Sequence, residues 1–492
     1  MNLSHCAFIA RFSADFATKS RGTRTHFSRT LQKNIRAALA RSGVRARTVQ
    51  AHDRLFVFAS EETAARAALA RVFGLANFSR IAARCSADPA EMARTVERFR
   101  PLVEGRRYAV RARRRGNHDF SSVDVERCLG AVLNANATVD LENPEITVHV
   151  EILDGRAYFF TERDQGAGGL PLGTSGRALA LLSGGFDSAV AAWRMMRRGI
   201  AVDFLFCNLA GGAYERQVIQ VAKVLTDLWA FGTRPWLFVV DFADVVDELK
   251  ARVEPRLWQV VLKRLMYRAA ASAAGRCRAE AIITGEAISQ VSSQTLANLK
   301  AIEPAAEMIV LRPLLGLDKS EIMAQAHRIG TALLSEKIPE YCALSGPSPA
   351  VQSTARKVGA QEAAMDPGVL ERAIAGMRRI DLAEVTGDEL RSDYLFVDDI
   401  PEDAQLIDCQ PPAHYRHWHL PGAVNRAPED IVRNLRRFDK RRCYVLYCPF
   451  GTQSAYLAEI MQQHGYQAYA LRGGIGAIRK RQEAEMEAAL HA

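Results

Sequence analysis

Six residues, Ser183-Gly184-Gly185-Phe186-Asp187-Ser188, have the composition of an anion cradle. Two glycines let backbone approach a phosphate closely, and two hydroxyls add donors. A helix-like run from Ala189 to Arg198 follows, and a helix N-terminus offers N–H groups and a positive dipole end to an anion. No Gly-Lys-Ser/Thr comes next, so this is not a Walker-type loop. Lys319 follows Asp318, an expected helix cap. It would stand in a first helical turn, where a cation opposes the dipole unless it serves an anion. The stretch Gly285-Glu286-Ala287-Ile288-Ser289-Gln290-Val291-Ser292-Ser293-Gln294-Thr295 is polar, follows an apolar run and is rich in side-chain hydrogen bonders. The other chemistry is that of sulfur. Cys448 directly follows the apolar Tyr444-Val445-Leu446-Tyr447, and a helix is expected from Ala455 to His464. A thiolate between a buried strand and a helix N-terminus is stabilised there and expected to be exposed.

Such groups need rigid elements behind them. Strand-like segments recur at residues 178–182, 201–206, 236–240 and 280–284 with helical segments between, which predicts a parallel, doubly wound sheet. Ligands of such sheets lie beyond the carboxyl ends of the strands. That edge should carry residues 183–188, Cys207-Asn208 and Gly285-Glu286. Upstream, His5 to Phe12 and Leu55 to Ala59 are strand-like. Phe27 to Arg41 is helical with Leu31, Ile35 and Leu39 four apart, and Thr63 to Phe73 is helical. Lys19, Arg21 and Arg24 lie in an expected basic loop. Pro89 to Phe99 and Ser122 to Leu133 read as helices, the latter capped by Ser121 or Ser122. Arg111, Arg113 and Arg114 belong to an alternating strand. Residues 146–152 and 156–160 pair across Asp154-Gly155 as a hairpin. The glycine-rich stretch from Gln165 to Gly173 has the composition of a flexible linker.

The 492 residues suggest about three domains. A hydrophobic content of 48% and a charged content of 24% are those of a globular protein. No apolar run approaches the roughly 18 residues of a membrane span, and no secretory pattern opens the chain, so the cytoplasm is the expected compartment. Net charge is +10, and the first 50 residues hold ten Lys and Arg against one acid, Asp15. That asymmetry favours a polyanion such as nucleic acid. The nine cysteines (6, 85, 128, 207, 277, 342, 409, 443 and 448) include no Cys-x-x-Cys, so neither zinc nor any metal held by a protein cluster is expected.

Three stretches carry family resemblances. Ser-Gly-Gly-x-Asp-Ser after a strand resembles the pyrophosphate loop of N-type ATP pyrophosphatases, which adenylate a substrate oxygen. The run from Val110 to Phe120, with Ser122, Asp124 and Val125, resembles the THUMP domain of RNA-modifying enzymes. The segment from Leu406 to Gly474, with His419-Leu420-Pro421-Gly422-Ala423 as a turn, resembles a rhodanese domain. Its loop departs from the rhodanese pattern at Pro449 and Gln453, and Gln410 and Trp418 stand where Arg and Gly are usual. An uncharged loop suits sulfur delivered by a protein rather than free thiosulfate. Together with Leu311-Arg312-Pro313-Leu314 and Asp318-Lys319, these motifs resemble the tRNA 4-thiouridine synthase (tRNA sulfurtransferase) family over nearly the whole chain.

The resemblance implies an α/β multidomain protein. Its parts would be an N-terminal ferredoxin-like α+β RNA-binding domain (1–75), a THUMP domain (59–163, overlapping the first), a PP-loop ATP pyrophosphatase domain (175–345), a helical linker (346–399) without assigned chemistry, and a rhodanese domain (400–482). It implies that ATP adenylates the C4 oxygen of uridine 8 in tRNA. Backbone of Leu181 and Leu182, with Lys263, Gly285 and Gln294, would contact the nucleotide. Ser183, Gly184, Gly185, Asp187 and Ser188 would hold the pyrophosphate, with Mg2+ near Asp187 and Lys319 stabilising phosphate charge. Cys448 would carry a persulfide from a cysteine desulfurase. Cys342 would resolve it as a disulfide, which a thiol reductant such as thioredoxin reopens. The same sulfur would reach the thiamine thiazole through a sulfur-carrier protein. Lys19, Arg21, Arg24, Arg111, Arg113 and Arg114 would meet RNA. Two other classes are weighed: another adenylating ligase of this fold, and a tRNA-binding sulfur relay. The missing Cys-x-x-Cys and amidotransferase domain speak against the first, and Asp187 with Lys319 against the second.

Overall fold

The computed structural model describes residues 6–16, 18–209, 211–336, 348–385, 393–410, 412–448, 452–472 and 474. The chain divides into two compact units. One holds Met1–Ser175 with Arg197–Gly199 and Phe231–Thr233, and the other holds the remainder.

In the first unit, β1 (Cys6–Phe12), α1 (Arg21–Arg41), β2 (Ala46–Ala51), β3 (Arg54–Ala59), α2 (Glu62–Leu69) and β4 (Leu75–Arg80) succeed one another. The strands pair antiparallel in the order β4-β1-β3-β2, a ferredoxin-like arrangement that continues past residue 75. Leu31, Ile35 and Leu39 form the buried stripe of α1. That helix begins six residues earlier than its apolar pattern, because the Ser20 hydroxyl accepts from the Thr23 N–H. Arg21 and Arg24 therefore stand in a first helical turn rather than in a loop.

A second sheet follows from β5 (Ala83–Ser86), α3 (Pro89–Val96), α4 (Arg100–Val103), β6 (Arg107–Arg115), α5 (Ser122–Leu133), β7 (Thr138–Val139), β8 (Ile146–Leu153) and β9 (Arg156–Phe160). Its order is β5-β9-β8-β6-β7, with β6 parallel to β8. The β8–β9 hairpin turns through left-handed Asp154 and Gly155 (φ 46° and 72°), as the Asp-Gly pair implies. Ser121 caps α5 in a capping box with Asp124. One carboxylate joins the two sheets. Glu151 on β8 is buried between Arg11 of β1 and Arg54 of β3, each 2.7 Å away.

The expected flexible linker is instead a packed strap. β10 (Asp164–Gln165) adds to the first sheet beside β4. Gly166 and Gly168 donate to the carbonyls of Ala76 and Leu75 (2.9 and 2.8 Å), and Leu170 donates to Arg197 (2.9 Å). Ala167, Leu170 and Leu172 are buried. Glycine is required for fit rather than for motion: a Cβ at Gly169 would strike the Arg197 carbonyl and its side chain, and its φ is +70°.

The second unit opens with β11 (Arg177–Leu181), α6 (Phe186–Arg197), β12 (Ala201–Asn208), α7 (Gly212–Trp229), β13 (Trp236–Asp241), α8 (Ala243–Arg252), α9 (Trp258–Cys277) and β14 (Ala281–Ile283). Next come α10 (Leu296–Ile302), β15 (Ile309–Leu311), α11 (Lys319–Ile329), α12 (Ala332–Ser335), α13 (Ala355–Ala363), α14 (Pro367–Ala375) and β16 (Arg378–Asp381). The sheet order is β15-β14-β11-β12-β13-β16, parallel except for β16. The stretch expected to be only helical linker thus supplies an antiparallel edge strand. The chain runs outward from β11 through β12 to β13, then returns to β14 on its other side. This puts a topological switch at the carboxyl end of β11, where such sheets open a crevice. A separate parallel sheet, ordered β17-β21-β20-β18-β19, comes from β17 (Phe396–Val397), β18 (Gln405–Asp408), β19 (Val424–Asn425), β20 (Cys443–Tyr447) and β21 (Gln467–Leu471). Around it lie α15 (Pro412–His417), α16 (Pro428–Arg433) and α17 (Thr452–Gln463). No helix among the described residues is long and apolar enough to cross a membrane.

Gly169→Ala should destabilise the first unit by about 2–5 kcal/mol, from roughly 1–2 for the left-handed backbone and 1–3 for overpacking. Urea unfolding followed at that unit checks this. An unchanged midpoint would return the strap to the status of a linker.

Candidate functional site

The loop after β11 lies at the switch point and is braced from three sides. Leu182 N–H donates to the Leu205 carbonyl (2.8 Å), extending the pairing with β12. Ser188, buried in the first turn of α6, receives the Ser183 N–H at 3.2 Å and itself donates to the Gly185 carbonyl at 3.0 Å. The Tyr214 hydroxyl donates to the Ser183 carbonyl (2.7 Å), and the Ser335 hydroxyl to the Gly184 carbonyl (2.8 Å). The loop carbonyls are thus engaged from outside.

Asp187 and Lys319 meet although 132 residues separate them: Nζ lies 3.4 Å from Oδ1 and 5.5 Å from the Phe186 ring centre. Asp318 caps α11 in a capping box with Glu321, which fixes Lys319 in the first turn as expected. Gln290 donates to the other Asp187 oxygen at 3.2 Å. The Gly285 backbone lies against the Asp187–Ser188 peptide, and a Cβ there would come within 2.6 Å of the Asp187 carbonyl carbon. Gln294 is buried, and its side-chain oxygen has no hydrogen-bond partner among the described residues.

Behind Gly285 stands a residue whose weight the sequence did not reveal. Glu286 is buried, and its carboxylate meets Lys263 Nζ (2.8 Å), Arg312 Nε (2.8 Å), the Tyr267 hydroxyl (2.9 Å) and the Thr284 hydroxyl (3.1 Å). Burial pushes its carboxyl up, but Lys263 and Arg312 outweigh that and bring it down to about 2. Lys263 therefore stands beside the loop with its ammonium on Glu286. The one available signal was an acidic residue directly after the Gly that ends an apolar strand.

Cys448 directly follows β20, and the structure corrects its expected exposure: the residue is only 2% exposed, within an apolar cluster that includes Leu446, Cys409 and Ala455. A strand flanked by parallel neighbours on both sides keeps the side chain just past its end in the core. The helix after it begins at Thr452 rather than Ala455. That brings the Ser454 N–H within 3.5 Å of Sγ, with the Ser454 hydroxyl also at 3.5 Å. Cys409 is a poor rival, since burial, with Cys448 and Asp408 nearby, drives its thiol far above the ordinary range. Gln410, in a usual Arg position, is buried and donates to Asp408 (2.9 Å) and to the Trp418 carbonyl (2.7 Å). Cys342, Pro449 and the other residues of 337–347 and 449–451 lie outside the described residues.

In the first unit Lys19, Arg21, Arg24 and Arg113 are exposed, while Arg111 and Arg114 are half-buried. Arg111 donates to the Leu141 carbonyl, and Arg114 to that of His118 at 3.4 Å. Strand alternation puts Arg111 and Arg113 on one face of β6 and Arg114 on the other.

Four family models match in chain order: a ThiI ferredoxin-like domain at residues 7–79, a THUMP domain at 89–162, the thiamine biosynthesis protein ThiI at 173–366 and a rhodanese-like domain at 396–481. A tRNA sulfurtransferase of Desulfurococcus amylolyticus is 37% identical over 477 residues, covering 96% of this chain and 98% of that protein. One of Pectobacterium atrosepticum is 35% identical, covering 93% and 98%. A solved 4-thiouridine synthetase–RNA complex with bound ATP is 28% identical, with a TM-score of 0.68, covering 76% of this chain and 99% of that one.

Glu286→Gln should lower stability by about 3 kcal/mol at pH 7, the low end for a broken buried pair, because half-buried Lys263 loses its carboxylate and half-buried Arg312 keeps only Glu303. The folded carboxyl is depressed to about 2. Its contribution is therefore complete above the unfolded value near 4.3 and is lost as pH falls from about 4 toward 2. Urea midpoints of wild type and variant should converge over that window. Equal midpoints at pH 7 would contradict the network.

Proposed function

Because the chain belongs to the tRNA sulfurtransferase family, we propose that it transfers sulfur to C4 of uridine 8 in tRNA in an ATP-dependent reaction, making it a tRNA uridine 4-sulfurtransferase. The observation that carries this reading is the Asp187–Lys319 pair at the mouth of a glycine loop braced by Ser188 and Tyr214. ATP supplies the adenylyl group that turns the uridine C4 oxygen into a leaving group. Residues 183–188 hold the departing phosphates, and Lys319 stabilises their charge. Asp187, paired here with Lys319 and Gln290, would be the carboxylate to hold a phosphate-borne Mg2+. The buried, unpartnered oxygen of Gln294 suits the adenine amino group of ATP. Leu181, Leu182 and Gly285 contribute backbone, and Lys263 contributes charge shared with Glu286.

The terminal sulfur of a Cys448 persulfide, loaded by a cysteine desulfurase, attacks C4 and displaces AMP. The Cys342 thiolate then attacks the Cys448 sulfur. The thiocarbonyl sulfur leaves with the RNA, and a 342–448 disulfide remains for a thiol reductant such as thioredoxin. The ThiI match supports a second outlet for the same persulfide, the thiazole of thiamine, through a sulfur-carrier protein. The RNA would lie on the basic residues of the first unit, Lys19, Arg21, Arg24, Arg111, Arg113 and Arg114.

Full-length protein with tRNA, ATP and a desulfurase tests both halves. Asp187→Ala and Lys319→Ala should each lower AMP and pyrophosphate release at least about 100-fold while tRNA binding stays near wild type. Near-wild-type release by either would remove its role. Cys448→Ser should neither load sulfur nor thiolate. Cys342→Ser should load sulfur but not thiolate, and mass spectrometry of wild type after turnover without reductant should find the 342–448 disulfide. An active Cys342→Ser would overturn the resolving step.

A further inference from the structure

In the second unit the C-terminal sheet meets the adenylating sheet through one helix from each. α17 follows Cys448, and α7 follows the carboxyl end of β12. Glu459 on α17 is buried, and its carboxylate lies 2.7 Å from the Arg216 guanidinium on α7. Both its oxygens also lie against Gly212 in the first turn of α7, only 3.1 Å from where a Cβ would stand. A carboxylate there faces the positive end of an 18-residue helix. Tyr394 closes the contact, its hydroxyl 3.5 Å from Glu459 and its ring 5.6 Å from the Arg216 guanidinium. Cation, dipole and hydroxyl converge on one buried anion, which makes the contact directional as well as adhesive.

The same turn of α7 carries Tyr214, between Gly212 and Arg216. Its hydroxyl is the donor to the Ser183 carbonyl, and its buried ring packs edge-on against Phe206 at 5.0 Å. The catalytic steps above use neither Glu459 nor Tyr214.

We infer that Glu459 and Tyr214 are positioning residues that tie docking of the sulfur-carrying domain to the shape of the phosphate loop. With Glu459 seated, the first turn of α7 is fixed and Tyr214 holds the Ser183 carbonyl. When α17 lifts away, that turn loses its counter-charge and the loop loses an anchor. The activated base is then made fastest when the sulfur donor is in place. This rests on reading residues 183–188 as the phosphate loop and Cys448 as the sulfur carrier.

The test uses the full chain with Glu459→Gln, which keeps the shape and removes the charge. Hydrogen exchange should rise in both 212–218 and 455–462, and the KM for ATP in tRNA-dependent AMP formation should rise about tenfold, with tRNA binding unchanged. Tyr214→Phe should raise the ATP KM similarly while leaving exchange at 455–462 as in wild type. Exchanging the charges, Glu459→Arg with Arg216→Glu, should recover part of the wild-type protection. Wild-type exchange in Glu459→Gln, or raised exchange with an unchanged ATP KM, overturns the inference. If wild type forms no AMP at all, the functional reading fails. Exchange in the two helices then still decides whether Glu459 fixes the dock.

Discussion

The close approach of Gly285 to the Asp187–Ser188 peptide is the constraint on which the candidate site depends. Two strand ends, β11 and β14, are adjacent in the sheet, and the chains leaving them must pass within van der Waals distance. Only a residue without a side chain permits this. The approach sets Glu286 behind the loop, where it balances Lys263 and Arg312, and it sets the 290–294 segment in front, where Gln290 reaches Asp187. The anion cradle is thus assembled from both sides of a topological switch.

What the sequence made legible followed from burial. β12 is buried at every position, and such a strand reads as a nearly continuous apolar run, broken here by Asp203, whose carboxylate pairs with Arg177. The hairpin at Asp154-Gly155 and the caps at Ser121 and Asp318 were legible because each depends on a few adjacent residues. Strands inside a sheet also escaped, β4 and β21 among them, but the hardest to read were edges or polar ribbons. β16 is Arg-Arg-Ile-Asp at one margin of its sheet, and β2 alternates half-buried with exposed residues. Their pairing comes from neighbours distant in sequence, which local pattern does not encode. Lys19 to Arg24 looked like a loop because no apolar stripe reaches it, yet Ser20 starts the helix there. Of the candidate site, the placement of residues 183–188 after a strand and of Lys319 in a first helical turn was legible as motifs. Glu286 and Tyr214 were not, since their importance lies mainly in partners distant in sequence, Lys263 and Arg312 for the one and Ser183 for the other.

Net charge also reads differently once partners are known. Arg11 and Arg54 are held by Glu151, Arg66 by Glu62, Glu162 and Asp164, and Arg107 by Asp140 and Glu145. A count of basic residues in the N-terminal half therefore overstates the charge a polyanion would meet. The exposed Lys19, Arg21, Arg24 and Arg113 carry a larger share of that field than their number suggests.

The packed strap has a consequence for how such a protein can be recombined. Composition would mark Gln165 to Gly173 as the seam along which an RNA-gripping module could be cut free and joined to another enzyme. Yet β10 is a strand of the first sheet, and the Leu172 carbonyl accepts from Asn34 of α1 at 3.1 Å. A breakpoint at residue 163 would strip an edge from that sheet and leave β4 without its outer neighbour. The natural breakpoint for exchange of the module lies beyond Gly173. Descendants of such a shuffling event would inherit the glycines as part of the transplanted cassette.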